Sequence, residues 1–239
     1  MVLDVGVALL VGALMGAGAQ LLRDPAGAAP GAPVQVAGAV LERPTSVRDG
    51  VESAALAAVV EVETVSCGTR RQASATLVRD RTGRVVLLTN AHVVRGAATA
   101  TVTVGTGVRV EAAVLDGVAG RDAALLDPVP VLDTGVLPLP VGPVTLAGDA
   151  VVVAGHPGGL LRVESAPVDE VQRRSGYGST SDVLLVGAEA EGGHSGGAVL
   201  DPQGSVVGLI AARDPGTRRV VAYRIDDVLG PPSTTTPDC

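Results

Sequence analysis

Short apolar runs separated by turn residues follow one another from residue 59 to residue 115. The runs are rich in Val, Leu and Ala, which favour strands, and residues 80–83 and 105–107 carry the Gly and Asp of turns. The pattern predicts a short helix at Val51–Ala58 and strands at Val59–Val65, Ala73–Arg79, Val85–Leu88, Thr99–Val104 and Val108–Leu115. A succession of short strands joined by turns is typical of an all-β barrel.

A second series of strand-like runs follows a proline-rich segment. Residues 127–148 contain five prolines, which interrupt strands, so this segment is predicted to connect two barrels. The later strands are predicted at Ala150–Ala154, Leu160–Val171, Val183–Ala190, Ala198–Leu200, Ser205–Ala212 and Arg219–Ile225. The sequence therefore predicts barrels at about residues 51–127 and 149–230, followed by a polar tail at residues 231–239.

The N-terminus carries one long apolar run. Residues 1–22 contain a single charge, at Asp4, and as a helix the 18 uncharged residues after it would span roughly 27 Å, enough for a bilayer. We therefore predict a transmembrane helix at residues 1–22 and an Ala/Pro/Gly-rich linker at residues 23–50. The alternative is a cleaved signal peptide with Ala17-Gly18-Ala19 as its cleavage site, although no basic residue precedes the apolar run.

The overall composition argues against nucleic acid as a partner. The net charge is −7, and aromatic residues make up only 1% of the chain. Nucleic-acid binding needs a basic face and often aromatic stacking, so neither nucleic-acid class is expected as a partner. The core must instead be built from Val, Leu and Ala.

The candidate chemistry centres on Ser195, which lies in the glycine-rich run EGGHSGG. A serine hydroxyl needs a base, and the chain has only three histidines, His92, His156 and His194. The G-x-S-x-G elbow of α/β-hydrolases requires a histidine after the serine, and none follows Ser195. The order His, Asp, Ser of chymotrypsin-like enzymes is available, with His92 and Asp122 upstream.

Three sequence blocks carry these residues in that order. His92 lies in LLTNAHVV, Asp122 in RDAALL, and Ser195 in EGGHSGGAVLDPQGSVVGL. Here the chain resembles trypsin-like serine proteases of the bacterial HtrA and MarP kind. Those proteases show TNAHV around the base, D-x-A-[LV]-L around the orienting acid and G-[DN]-S-G-G-P around the nucleophile. The resemblance covers roughly residues 51–230, and no PDZ-like segment follows it.

The resemblance implies a chymotrypsin-like fold of two six-stranded antiparallel barrels and a catalytic triad. Ser195 would be the nucleophile, His92 the general base, and Asp122 the acid that orients the histidine. Asp116 is the rival acid, but it lacks the D-x-A-L-L context. The backbone N–H groups of Gly193 and Ser195 would form the oxyanion hole.

Four features depart from the family or are less specific. His194 occupies the position where the family has Asp or Asn, Ala198 replaces the usual Pro, and ASATLV at residues 73–78 stands where GSGF is common. Glu189 lies six residues before Ser195, where trypsin-like enzymes place the base of the S1 pocket. A carboxylate there would favour Arg or Lys in the substrate; the alternative is a solvated loop glutamate.

The two cysteines, Cys67 and Cys239, belong to no metal-ligand spacing. An early cysteine and one near the C-terminus resemble the arrangement in MarP-type proteases, which implies a Cys67–Cys239 disulfide; two free thiols are the alternative. No metal site and no cofactor are expected. Disulfides persist in oxidising compartments, so the cysteines and the family resemblance favour an extracytoplasmic protease domain. Arg23, which follows the apolar run, favours a cytoplasmic domain instead, and we give this single charge less weight.

Taken together, the sequence predicts a serine endopeptidase that acts on protein or peptide substrates through an acyl-enzyme. Residues 1–22 would hold it in the cell membrane as a single-pass protein with the protease domain on the extracytoplasmic side; secretion is the alternative localisation. The alternative function is a catalytically weak or inactive binding or regulatory protein with the protease fold.

Overall fold

The computed structural model describes residues 34–36, 39–41, 47–105, 107–118, 120–176, 179–229 and 232–233. The chain divides into two compact units, Met1–Arg43 and Pro44–Cys239. In the first unit, strands β1 (Val34–Val36) and β2 (Ala39–Leu41) pair antiparallel. The predicted N-terminal hydrophobic helix at residues 1–22 lies outside the described residues. Within the described part of the chain, no helix has the length and apolar character needed to cross a membrane.

The first barrel of the second unit follows helix α1 (Val47–Ala58). Its strands are β3 (Val59–Ser66), β4 (Thr69–Arg79), β5 (Val85–Thr89), β6 (Thr99–Thr103), β7 (Arg109–Val118) and β8 (Ala124–Leu126), with the short helix α2 (Ala91–Val94) between β5 and β6. The strand order is β7-β6-β3-β4-β5-β8, and pairing between β7 and β8 closes the ring. All of these pairings are antiparallel.

A connector joins the two barrels and contributes pairings of its own. It contains helix α3 (Val129–Leu132) and strand β9 (Leu139–Pro140), which pairs in parallel with β4. Val141 then forms a bridge with Val206 of the second barrel. The predicted proline-rich connector is thus mostly irregular, but it is fastened to both barrels.

The second barrel is closed by six antiparallel strands. They are β10 (Ala150–Gly155), β11 (Arg162–Gly176), β12 (Ser179–Glu189), β13 (Ala198–Leu200), β14 (Val206–Arg213) and β15 (Arg219–Arg224), with a 3₁₀ turn at Pro157–Gly159. The order around the barrel is β10-β11-β12-β15-β14-β13. Helix α4 (Ile225–Val228) and strand β16 (Pro232–Ser233), which pairs with β7 of the first barrel, follow it.

The core is aliphatic and continues from one barrel to the other. Leu77 and Leu88 of the first barrel are fully buried in the same cluster as Ala154 and Leu209 of the second. Because aliphatic burial provides the main driving force for folding, this shared cluster holds the two barrels together.

The predicted all-β class and the two six-stranded barrels are confirmed. Helix α1 begins at Val47, four residues earlier than predicted. Strand β8 was not predicted, because its three residues are all apolar and all buried and so show no alternation. The β11–β12 hairpin is longer than predicted, because exposed polar residues such as Arg173 and Ser175 extend the ladder without an apolar pattern.

Candidate active site

His92 and Asp122 lie against each other in the first barrel. His92 is in helix α2, just after strand β5, and Asp122 lies just before strand β8, which pairs with β5. His92 Nδ1 is 2.6 Å from Asp122 Oδ2, and the backbone N–H of His92 donates to Asp122 Oδ1 over 2.9 Å. Asp122 is 4% exposed, whereas the His92 side chain is 38% exposed. The buried carboxylate therefore holds an accessible imidazole.

The contact with Asp122 selects one tautomer of His92. A carboxylate accepts a hydrogen from Nδ1, which leaves Nε2 as the unprotonated nitrogen that can take up a proton. Buried Asn90 supports the arrangement, because its side-chain amide donates to the backbone carbonyl of Asp122 over 2.6 Å. The rival Asp116 lies in β7 opposite Leu125 and makes no such contact with His92 within the described residues.

Ser195 lies in the second of two consecutive turns that follow β12. His194 N–H donates to Glu191 O over 3.2 Å, and Gly197 N–H donates to His194 O over 2.9 Å. Gly196 N–H then donates to Ile210 O over 2.8 Å, which fixes the loop to strand β14. Ser195 is half-buried, and within the described residues no hydrogen bond joins its hydroxyl to the His92 ring.

The glycines next to Ser195 are required by close packing. Gly196 has a φ of +82°, and a Cβ there would meet the Ser74 carbonyl oxygen at 2.1 Å and Thr89 Oγ1 at 2.6 Å. Gly193 has a φ of +105°, and a Cβ there would meet the His156 carbonyl oxygen at 2.4 Å. Because Thr89 lies three residues before His92, this packing brings the Ser195 loop to the segment that carries the candidate base.

The backbone N–H groups of Gly193 and Ser195 donate to no protein acceptor within the described residues, whereas their neighbours His194, Gly196 and Gly197 all do. Two unpaired N–H groups in one tight loop are what an oxyanion site requires. Gly193 and Ser195 are both half-buried, so the groups are not sealed inside the core.

The two other histidines are buried near Ser195: His194 lies in the loop itself and His156 lies in the segment against which Gly193 packs. His194 is 3% exposed, and the Glu191 N–H donates to its Nδ1 over 3.0 Å. Burial lowers the pKa of His194, although the carboxylates of Glu191 and Glu164 act in the opposite direction. Burial also lowers the pKa of His156, which is 8% exposed and whose Nδ1 has no hydrogen-bond partner. Burial therefore disfavours protonation of both imidazoles.

Glu189 lies at the end of β12 and is exposed. Its carboxylate pairs with the guanidinium of Arg218, 2.9 Å away, and more than half of each side chain is exposed. A solvated, paired carboxylate matches the alternative of a loop glutamate more closely than the floor of an enclosed pocket. The S1 role of Glu189 stays a prediction without support from its position.

Three side chains that the sequence analysis did not single out contact the nucleophile loop from the first barrel. Thr76 Oγ1 donates to Gly196 O over 3.0 Å, and Ser74 and Thr89 pack against the same glycine. Ser74 and Thr76 belong to ASATLV, which the sequence marked as a departure from the family. That departure was the available signal, but nothing local in it indicates a partner some 120 residues away.

The remaining predictions concern metals and the cysteines. Within the described residues, no cluster of His, Cys, Asp or Glu could hold a metal ion. Cys67 lies in the turn between β3 and β4 with a φ of +51°, and the described part of the chain has no free cysteine. Cys239 lies outside the described residues, so the Cys67–Cys239 pairing stays a prediction.

Comparison with known proteins identifies the family. The family model of the trypsin-like peptidase domain matches residues 73–209, which are more than half of the chain and contain His92, Asp122 and Ser195. The chain belongs to the trypsin-like peptidase family. The resemblance stated from the sequence is thereby confirmed.

Several trypsin-like relatives are similar to the chain. Serine protease Rv3671c of Mycobacterium tuberculosis is 37% identical over 145 residues, which cover 56% of this chain and 36% of that protein. The chain thus spans only about a third of the length of the curated relatives it matches. The crystal structure of the active form of the Rv3671c protease is 26% identical with a TM-score of 0.66, covering 92% of this chain and 99% of that chain.

A more distant trypsin-like protein shares the fold. The HtrA-type protease AlgW, solved with a tripeptide, is 23% identical with a TM-score of 0.61, and the match covers 77% of this chain and 61% of that chain. At this identity the similarity supports the two-barrel architecture and nothing finer.

Proposed function

We propose that this chain is a serine endopeptidase that hydrolyses peptide bonds through an acyl-enzyme. Ser195 attacks the scissile carbonyl, His92 Nε2 takes the serine proton and later returns it to the leaving amine, and Asp122 orients the imidazole. The N–H groups of Gly193 and Ser195 stabilise the oxyanion. Water then attacks the acyl-enzyme with His92 again as base, which releases the carboxylic acid product and frees Ser195.

The observation that carries this proposal is the double contact between His92 and Asp122. One carboxylate accepts both the ring Nδ1–H and the backbone N–H of the same residue, over 2.6 and 2.9 Å. A histidine that served only to fill the core would not need its ring and its backbone N–H bound to one buried carboxylate. Here the Asp122 side chain is 6% exposed, whereas 38% of the His92 side chain is exposed.

The proposal is tested by covalent labelling and peptide cleavage with the purified chain. A fluorophosphonate probe should label the wild-type protein, and Ser195→Ala should abolish both labelling and cleavage without a change in folding. Ser165→Ala, which removes an exposed serine from the same barrel, serves as the matched control and should behave as wild type. Cleavage retained by purified Ser195→Ala would refute the proposal.

A second function has one observation in its favour. No hydrogen bond joins the Ser195 hydroxyl to the His92 ring within the described residues, as expected for a protease-fold binding protein that lacks the chemistry. Catalytic hydrogen bonds are often long in ligand-free enzymes, so this observation weighs less than the His92–Asp122 contact. Wild-type protein that neither binds the probe covalently nor cleaves a peptide library would favour the binding function.

We further propose the setting in which the peptidase acts. Residues 1–22 anchor the protein in the cell membrane, residues 23–50 form a linker, and the protease domain of residues 51–230 lies on the extracytoplasmic side with a Cys67–Cys239 disulfide. The absence of a free cysteine among the described residues supports the disulfide, because the chain has only two cysteines. Peptide mapping without reductant tests it, and N-terminal sequencing of mature protein distinguishes an anchor from a cleaved signal.

A further inference from the structure

Ser74 of strand β4 uses every polar group it has on the active-site segments. It is fully buried, and its carbonyl accepts the Thr89 hydroxyl over 2.8 Å. Its backbone N–H donates to Ser195 O over 2.8 Å, and its hydroxyl donates to Gly193 O over 2.7 Å. One residue of the first barrel thus contacts both residues whose N–H groups form the proposed oxyanion hole: its side chain bonds to Gly193 and its backbone N–H bonds to Ser195.

The Ser74 hydroxyl also accepts a hydrogen bond, so it acts both as a donor and as an acceptor. The His156 N–H donates to Ser74 Oγ over 2.8 Å. His156 begins the segment against which Gly193 packs, with the His156 carbonyl 2.4 Å from where a Gly193 Cβ would be. The hydroxyl therefore links Gly193 to the segment on its other side.

We propose that Ser74 is a positioning residue that sets the geometry of the oxyanion hole. The inference rests on the proposed peptidase function and deepens it. Gly193 has a φ of +105°, where a glycine backbone can adopt several conformations. The orientation of the Gly193 backbone must therefore be imposed by the contacts that it makes. Among the described residues, the bond from Ser74 Oγ to the Gly193 carbonyl is the hydrogen bond that a side chain supplies to Gly193.

The consequence for catalysis follows from where the oxyanion donors lie. An oxyanion hole acts on the tetrahedral intermediate and not on the bound substrate, so an error in donor position lowers the rate of the chemical step. Removing one donor outright costs about 10²–10³-fold in kcat, and a displacement of about 1 Å can cost about 10²-fold. For Ser74→Ala we expect kcat to fall about 10- to 100-fold while KM changes less than about threefold.

Strand β4 offers a matched control two residues away. Thr76 is also fully buried, and its hydroxyl donates to the carbonyl of Gly196 in the same loop. The Gly196 N–H is already bound to Ile210 O, so Gly196 is not an oxyanion donor. Thr76→Val therefore removes a buried hydrogen bond to the loop without touching a donor, and its kcat should stay within about threefold of wild type.

The test compares the full-length wild type, Ser74→Ala and Thr76→Val by kcat, KM and the affinity for a peptide aldehyde. The aldehyde forms a tetrahedral adduct with Ser195, whose oxygen occupies the oxyanion hole, whereas uncleaved peptide bound to Ser195→Ala reports the ground state. We expect Ser74→Ala to lose aldehyde affinity and kcat by the same factor and to keep peptide affinity. Ser74→Cys, which keeps the side-chain size with a weaker donor, should give an intermediate loss and replaces Ser74→Ala if that variant does not fold.

The outcomes separate this inference from the proposed function. The wild type could be active while Ser74→Ala or Ser74→Cys loses only thermal stability and keeps its kcat and aldehyde affinity. That result would overturn the role of Ser74 and leave the peptidase function intact. Equal losses in kcat for Ser74→Ala and Thr76→Val would also overturn it, since the hydroxyls would then be merely structural. Wild type without any Ser195-dependent turnover would overturn the peptidase function itself.

Discussion

Acidification should destabilise this protein through two buried histidines, His194 in the nucleophile loop and His156 beside it. Burial lowers the pKa of both His156 and His194 in the folded state, whereas in the unfolded chain both titrate at the ordinary value near ~6.5. The unfolded state therefore binds more protons below about pH 6.5, and the free energy of unfolding falls as the pH falls through that value. The loss stops growing once the pH is below the folded-state pKa values.

The local charges of the folded state support this direction. His156 faces Glu61, which raises its pKa, and His194, which lowers it, while burial exceeds both. His194 faces Glu191 and Glu164, which raise its pKa, and Arg162, which lowers it, again with burial as the largest cause. Neither imidazole has a carboxylate bonded to its ring among the described hydrogen bonds, in contrast to His92.

An upper limit for the effect follows from linkage. At pH 5.5, a histidine that stays neutral in the folded state but titrates normally when unfolded lowers the free energy of unfolding by at most about 1.4 kcal/mol relative to high pH. The two histidines together account for at most about 2.8 kcal/mol, and partial protonation of the folded state reduces that figure. Domains are stable by about 5–15 kcal/mol, so the effect is measurable.

Urea unfolding at pH 7.5 and pH 5.5 measures this difference directly. His194→Asn keeps an acceptor for the Glu191 N–H but does not titrate, so it should reduce the pH dependence; combining it with His156→Gln should remove most of it. Asp80 does not titrate in this range, because hydrogen bonds from Thr82 and Arg84 lower its pKa to about 2. A double variant with the full pH dependence of wild type would refute the reasoning.

Two further predictions concern the site itself. Asp122→Asn should lower kcat by about 10⁴-fold with the fold intact, because the amide no longer selects the Nδ1–H tautomer of His92, and steady-state kinetics with a peptide substrate measures it; a loss below about tenfold would contradict the orienting role. Gly196→Ala should lower the midpoint of thermal unfolding and abolish probe labelling, because its Cβ would meet Ser74 O at 2.1 Å at a φ of +82°; a labelled variant of normal stability would contradict the packing.

The fold was predictable where apolar runs are bounded by turns, and less so where other forces determine the strand. Most strands of both barrels follow such runs. Strand β8 was missed because a three-residue, fully buried strand has no alternation to detect. The tip of the β11–β12 hairpin was missed because cross-strand hydrogen bonds hold polar residues such as Gln172 and Arg174 in the ladder.

The site residues could be predicted where they lie in contiguous sequence motifs. His92, Asp122 and the Ser195 loop each lie in a block whose residue types have a chemical reason. Glu189 was harder, because the side chain that pairs with it, Arg218, is determined by the β12–β15 register and not by spacing from Ser195. The role of Ser74 could not be predicted from the ASATLV departure alone, because its hydroxyl bonds to the Gly193 carbonyl and the His156 N–H, and backbone groups carry no sequence signal.

The candidate catalytic residues are divided between the two barrels, which explains why hydrogen bonds to backbone groups matter here. The first barrel carries the candidate base and its orienting acid, whereas the second carries the nucleophile loop, so their relative position depends on contacts across the interface. The shared aliphatic cluster supplies adhesion but little direction, since packing of Val and Leu tolerates small shifts. Hydrogen bonds from Ser74 to the carbonyls of Gly193 and Ser195 supply the direction, because each bond fixes one peptide group at about 3 Å. A glycine-rich loop, which has little preference of its own, is thereby held in one conformation by the opposite barrel.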